Sequence, residues 1–255
     1  MRFSKYFEFL RSLSTSSQRL RFNRRYVTVS EIAQQFYCEE KLRLSIIEGK
    51  VETEATVLGT LIHENLLRGE ELSLEELLRR IESGYRVVAS LPLVGIIDEI
   101  PIVGIPDAIV FINGIASIVI ELKTSNKWLD TVFKTEYVQA QTYAYLLHEL
   151  NIASKNLIVS IAKLKRDPEY VKSKRLEILK EILKILDQVS ITPIIIHKKD
   201  LTIHCMPFDE SIIHDIKWAL AFWKMERELQ PTSSLSRCLS CEYRHICSLC
   251  NVRKV

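Results

Sequence analysis

Apolar positions along the chain change period twice, and each change marks a different kind of element. Between residues 28 and 84 they recur at helical intervals. Thr28 to Ser30 leads into a helix with Ile32 and Phe36 on one face and Ser30 placed to cap its first turn. Val57, Leu58, Leu61, Ile62 and Leu66 form the stripe of a second helix, from about Glu54 to Leu67, which Gly69 ends. Ser73-Leu74-Glu75-Glu76 is a capping box that opens a third, closing near Gly84. From Tyr85 to Lys123 Val and Ile crowd together, interrupted by Pro92, Gly95, Pro101, Gly104, Pro106 and the turn signal Asn113-Gly114, which predicts three or four short strands. A helix from about Glu136 to Leu150 and a strand from Leu157 to Leu164 come next. A helix with Leu176, Leu179, Leu183 and Leu186 on one side then leads to strands near Ile194 and from Leu201 to Met206. The last helix is predicted from Asp209 to about Leu229, stopped by Pro231. The mixture is that of an α/β (α+β) protein.

Composition narrows this pattern. A chain of 255 residues holds one large domain or two small ones, and 47% hydrophobic with 26% charged residues is an ordinary globular balance. No apolar run approaches the ~18 residues of a membrane span, so the expectation is a soluble, cytoplasmic protein with no membrane partner. A net charge of +3 is too small to announce a nucleic-acid partner. Its distribution says more, because residues 1 to 25 carry Arg2, Lys5, Arg11, Arg19, Arg21, Arg24 and Arg25 against Glu8 alone. This basic arm reads as a phosphate contact, an organelle transit segment or a solvated terminus. Of the six cysteines, Cys238, Cys241, Cys247 and Cys250 fall together at the end of the chain, which points to a metal site in a reducing compartment rather than a disulfide framework.

The strongest chemical phrase is Pro106-Asp107, followed after the Asn113-Gly114 turn by Glu121-Leu122-Lys123. Glu121 and Lys123 are two apart on a strand and leave the sheet on the same face. With Asp107 on the neighbouring strand, Glu121 is suited to one or two Mg2+ or Mn2+ ions, which favour carboxylate oxygens. Lys123 is then placed to orient or help deprotonate an attacking water and to stabilise charge on phosphorus. Taken alone, the pair is an ordinary strand-end ion pair worth little. His63, four residues after Gly59, is alone a packed or solvated histidine, and Gln139 with Tyr143 is alone an amphipathic face.

The ordered set Gly59, His63, Asp107, Glu121-x-Lys123 and Gln139-x-x-x-Tyr143 resembles the RecB-like branch of the PD-(D/E)XK nucleases. Ser30-Glu31-Ile32, Tyr37-Cys38-Glu39-Glu40-Lys41-Leu42 and Cys238-x2-Cys241-Glu-Tyr-x3-Cys247 make the likeness more specific, to the CRISPR-associated Cas-four exonucleases, over residues 28 to 250. The resemblance implies a restriction-endonuclease-like core, with a central mixed sheet flanked by helices. It implies an iron-sulfur cluster, usually [4Fe-4S], on Cys38, Cys238, Cys241 and Cys247. His63, Asp107 and Glu121 would be metal ligands and Lys123 the catalytic lysine, with Gln139 and Tyr143 supporting the site. The implied role is trimming of DNA, especially single strands or frayed ends, for new CRISPR spacers with the Cas-one and Cas-two integrase. The chain divides accordingly into a basic arm (1–27), a helical region supplying Cys38 and His63 (28–84), a nuclease core (85–230) and a cysteine-rich tail (231–255).

Two departures matter. The family usually has a proline after the first cysteine, where this chain has Glu39, and this chain adds Cys250. Cys238, Cys241, Cys247 and Cys250 also fit a four-thiolate zinc knot without Cys38. Cys205 reads as a core residue, Trp218 and Trp223 as packing, and Trp128 as packing or a base contact. Other readings of the whole are a stand-alone repair or viral recombination nuclease of the AddB or Dna-two kind, and a catalytically silent DNA-binding cluster protein.

A geometric condition follows. If Asn113-Gly114 is a tight two-residue turn, Asp107 faces Ile120 and Glu121 points to the other side of the sheet. A shared metal therefore requires a three-residue loop or a bulge near Pro106, after which Asp107 faces Val119 with Glu121 its diagonal neighbour.

Overall fold

The computed structural model describes residues 3–15, 19–49, 73–125, 129–188 and 193–250. Its centre is a six-stranded sheet in the order β2-β5-β6-β7-β9-β8. These strands are β2 (Arg86–Ala89), β5 (Ala108–Ile112), β6 (Ile115–Thr124), β7 (Ala153–Leu164), β8 (Ile194–Lys198) and β9 (Leu201–Pro207). β6 and β7 run parallel and the other neighbours antiparallel, so the sheet is mixed and flanked by helices, as expected. A smaller sheet joins β1 (Val27–Thr28), β4 (Ile100–Gly104) and β3 (Leu93–Ile97).

Alternation along β6 sorts its side chains between two cores. Val119 belongs to the core packed by the helices Lys134–Glu149 and Ile212–Trp223, whereas Ile120 and Leu122 belong to the core under the helix Arg175–Leu186. Glu121 and Lys123 keep Val119's parity. They therefore leave β6 toward the Lys134–Glu149 helix, which carries Gln139 and Tyr143. Cys205 lies buried in the second core, and Trp223 is fully buried in the first with its indole N–H donating to Gln35 Oε1 at 2.9 Å.

Several boundaries depart from the sequence pattern. Thr28, not Ser30, caps the helix Val29–Gln35, in a reciprocal capping box with Glu31. The stretch from Tyr85 to Thr124 holds five strands rather than three or four, because Asp98 and Glu99 make a turn at positive φ without the glycine or asparagine that would have signalled it. The last long helix ends at Trp223, well before Pro231. The basic N-terminal segment is packed rather than a free arm: Ser4–Thr15 is a helix, Phe3 and Tyr6 are buried in the main core, and Arg21 donates to the carbonyls of Phe222 and Arg227. The expected helix from Glu54 to Leu67, with Gly59 and His63, and Trp128 lie outside the described residues. Among the described residues no helix is long and apolar enough to cross a membrane.

Candidate active site

The β5–β6 hairpin meets the geometric condition by a route different from the two foreseen. Ile112 pairs with Ile115 across a two-residue turn, Asn113 and Gly114 both having positive φ, so the loop is tight. The register then shifts between Val110 and Phe111: Phe111 faces Ala116, but Val110 faces Ile118 and Ala108 faces Ile120. The extra residue is Ser117, whose hydroxyl turns back to the carbonyl of Ile115 at 3.3 Å. The bulge is therefore on β6, not near Pro106, and it slides the register in the opposite sense to that expected. Continued one step, it sets Asp107 opposite Glu121 itself rather than Val119. Asp107 Oδ2 accepts the backbone N–H of Leu122 at 2.6 Å, which fixes the carboxylate beside β6.

The side chains form a connected chain. Lys123 Nζ donates to Glu121 Oε1 at 2.9 Å and to Gln139 Oε1 at 2.6 Å, and Gln139 Nε2 donates to the Tyr143 hydroxyl at 3.2 Å. Asp107, Glu121, Lys123, Gln139 and Tyr143 are thus brought together. Tyr143 is buried, and burial with the nearby Glu121 charge holds its phenol well above the ordinary value, so it stays neutral. Gly104 makes room for it. A Cβ there would lie 2.7 Å from the Tyr143 ring and 2.7 Å from a Val29 methyl, a requirement hidden when Gly104 is read only as a strand breaker.

Glu121 is 5% exposed, and burial followed by the charge of Asp107 pushes its carboxyl up to about 8, with Lys123 and Arg175 pulling back. Lys123 and Arg175 each pair with one of the two carboxylates but do not offset the burial of Glu121, and a divalent cation bound between the carboxylates would favour the ionised form further. Because the folded-state value lies above the ordinary 4.5, Glu121's contribution to stability is complete below that value and is lost as pH rises toward 8. In EDTA, wild-type protein should lose melting temperature relative to Glu121→Gln between pH ~5 and ~8, and Mn2+ should close the difference. If this carboxyl were an ordinary one, the melting temperatures of the two proteins would differ by a constant amount between pH ~5 and ~8.

Two contributors escaped the sequence pattern. Arg175 Nη2 lies 3.0 Å from Asp107 Oδ1 and also donates to the Asp107 carbonyl at 3.1 Å. Lys163, the parallel partner of Lys123 on β7, is wholly buried, its Nζ donating to Thr131 O at 2.6 Å and Glu136 Oε2 at 3.0 Å. A lone lysine in an apolar strand was the available signal. It pins the loop before the Lys134–Glu149 helix, helped by buried His204 at 2.7 Å from the carbonyl of Leu129.

Lys123 and Gln139 border an open cavity of about 390 Å3 that runs past Ser30 and Gln34 to Tyr37 and Lys41. Tyr37 and Lys41 also border a second cavity, where Cys38, Cys238, Cys241, Cys247 and Cys250 converge. The Cys247 thiol is pushed up by burial and by Glu40, Cys250 and Cys38 nearby. Cys38 Sγ accepts the backbone N–H of Thr232 at 3.4 Å. Among the described residues no three His, Cys, Asp or Glu side chains stand close enough together to hold a metal ion. The shared cavity fits a thiolate-bound group in its donor chemistry.

Buried Glu121 beside half-buried Asp107, with a lysine on the same strand at a bulged hairpin of a mixed sheet, is an arrangement suited to metal-dependent phosphodiester hydrolysis. Residues 66–248 match the model of the PD-(D/E)XK nuclease superfamily, and the chain belongs to that superfamily. It is accordingly a nuclease, of a family that acts on DNA with divalent ions such as Mg2+ or Mn2+. No curated protein matches the chain. Among solved structures, the crystal structure of SSO0001 is similar at 16% identity over 96% of each chain, with a TM-score of 0.40.

Proposed function

We propose that this nuclease is a DNA exonuclease for single strands or frayed ends, carrying a [4Fe-4S] cluster on Cys38, Cys238, Cys241 and Cys247. We further propose that it works in the cytoplasm in CRISPR adaptation, with the Cas-one and Cas-two integrase. The observation that carries the catalytic part is the bulge at Ser117, which pairs Ala108 with Ile120, so that Asp107, one residue earlier, falls beside Glu121 and accepts the N–H of Leu122. The cluster part is supported by the convergence of Cys38 with the tail cysteines across two hundred residues of sequence. The adaptation role rests on the likeness of the Cys38 and Cys238 segments to the Cas-four family.

Asp107 and Glu121 would hold a divalent cation, with His63 as a further ligand. Such an ion supplies Lewis acidity toward phosphate oxygens and lowers the pKa of a water it binds. Lys123, fixed by Glu121 and Gln139, is placed to orient the attacking water and to offset charge on phosphorus. In hydrolysis the water oxygen bonds to phosphorus and loses a proton to a base or solvent, while the bond to the leaving sugar oxygen breaks and that oxygen takes up a proton from solvent. Tyr143, held neutral by burial, fixes Gln139 without adding negative charge. The open cavity beyond Gln139, walled by Gln34 and Lys41, offers a polar and cationic path for the strand.

Stepwise shortening of end-labelled single strands in Mn2+ or Mg2+, abolished by EDTA, tests the reaction. Internal cuts on circular single strands would refute the exonuclease assignment, and cleavage in EDTA would refute metal dependence.

A further inference from the structure

Arg175 occupies a costly place. It opens the helix Arg175–Leu186 behind another cation, Lys174, at the end where the helix dipole disfavours positive charge. Lys174 turns to Glu177 at 2.9 Å, but Arg175 turns to Asp107, meeting both its carboxylate and its backbone carbonyl. The Arg175 and Asp107 side chains are 32% and 22% exposed, so the pair lies at the rim of the site rather than in the core. The segment leading to it carries Lys165, Arg166 and Lys172, with Asp167 and Glu169 as its acids, and Arg166 pairs with Asp200 at 2.8 Å.

We infer that Arg175 is a substrate-phosphate ligand of this active site, resting on Asp107 until a divalent cation takes that carboxylate. The inference rests on the reading of Asp107 as a metal ligand and extends it to the residue that competes there. A guanidinium and a divalent cation at one carboxylate repel each other, so occupation of Asp107 by the ion weakens its pair with Arg175. The second contact, to the Asp107 carbonyl, does not involve the carboxylate and keeps the guanidinium at the rim. A planar fork can hold that carbonyl with one N–H and a phosphate oxygen with another, which a lysine cannot do in the same geometry. Metal and DNA then favour each other's binding, since each removes the competition the other faces.

The test uses full-length protein in a Lys123→Ala background, with Mn2+ and a single-stranded oligonucleotide as probes. Without DNA, Arg175→Gln should bind Mn2+ about fivefold more tightly, the equivalent of losing a competing ion pair of ~1 kcal/mol. In Mn2+ the same change should weaken oligonucleotide binding and reduce the slope of log affinity against log salt by about 0.7. Arg175→Lys, which keeps the charge but not the fork, should leave Mn2+ affinity and the salt slope near those of Arg175 while weakening oligonucleotide binding. Unchanged or weaker Mn2+ binding in Arg175→Gln overturns the inference, as does an unaltered salt slope in the same variant. The parent reading is separated by Asp107→Asn: Mn2+ binding indifferent to that change removes Asp107 as a ligand and the inference with it. Mn2+ binding lost there but not gained in Arg175→Gln removes the arginine's role alone.

Discussion

Asp107→Ala, Glu121→Gln and Lys123→Ala should each lower cleavage of a single-stranded end by about 10²- to 10³-fold or more, the usual cost of removing a group that acts on the transition state. Glu121→Gln is the most informative, because it keeps the shape of the side chain and removes only its charge. In the structure that charge is buried, faces Asp107 and receives Lys123 Nζ. The glutamine would hold a cation poorly, while its amide oxygen can still accept Lys123 Nζ. Affinity for DNA should change far less, since most of it comes from cationic contacts spread along the phosphates. Turnover and oligonucleotide affinity measured separately give the answer, and Glu121→Gln cleaving at the wild-type rate in Mn2+ would remove the assignment.

The site was more legible in the sequence than the hairpin that builds it. Asp107, Glu121 and Lys123 are each ordinary when read alone, as are Gln139 and Tyr143, and only their order, through its resemblance to the RecB-like nucleases, marked them as candidates. The need for a register shift could be deduced from alternation alone. Its position could not, because Ser117 has no signature: a bulge there costs little local propensity and is chosen by how β5 and β7 pack on β6. Arg175 and Lys163 were missed for a related reason. Each is a common residue type whose meaning comes from a partner far away in sequence, Asp107 in one case and Glu136 with Thr131 in the other.

Glu39, where the Cas-four resemblance leads one to expect proline, acquires a physical role from the fold. It is wholly buried and accepts the guanidinium of Arg227, the amide of Gln35 at 2.8 Å and the backbone N–H of Gln230 at 2.6 Å. It thereby anchors the linker between the helix Ile212–Trp223 and the cysteine-rich tail. A buried carboxylate survives only with such compensation, so proline at that position would leave Arg227 and the Gln230 amide without their acceptor. Arg237 completes the docking by donating to the carbonyls of Phe36 and Tyr37 at 3.0 and 2.9 Å.

That polar docking makes the cysteine experiment interpretable. On the proposed reading, protein purified without oxygen should be brown, with broad absorbance near ~400 nm, and Cys38→Ser should lower its iron as far as Cys241→Ser does, because four thiolates would hold one cluster. Glu39, Arg227 and Arg237 keep the tail on the N-terminal helices in either variant, so iron lost from a protein that still melts cooperatively reports ligation rather than unfolding. Cys250 is the discriminating residue. It is 4% exposed and borders the same cavity, so position alone gives five candidates for four bonds. With Cys38 as a ligand, Cys250→Ser should retain most of the iron, the buried thiol serving as a small packing group. The alternative uses Cys238, Cys241, Cys247 and Cys250 as a local zinc knot and leaves Cys38 outside. In that case the metal is stoichiometric zinc, Cys38→Ser leaves it in place and Cys250→Ser strips it, an outcome that would remove the cluster and, with it, the most specific link to the Cas-four exonucleases.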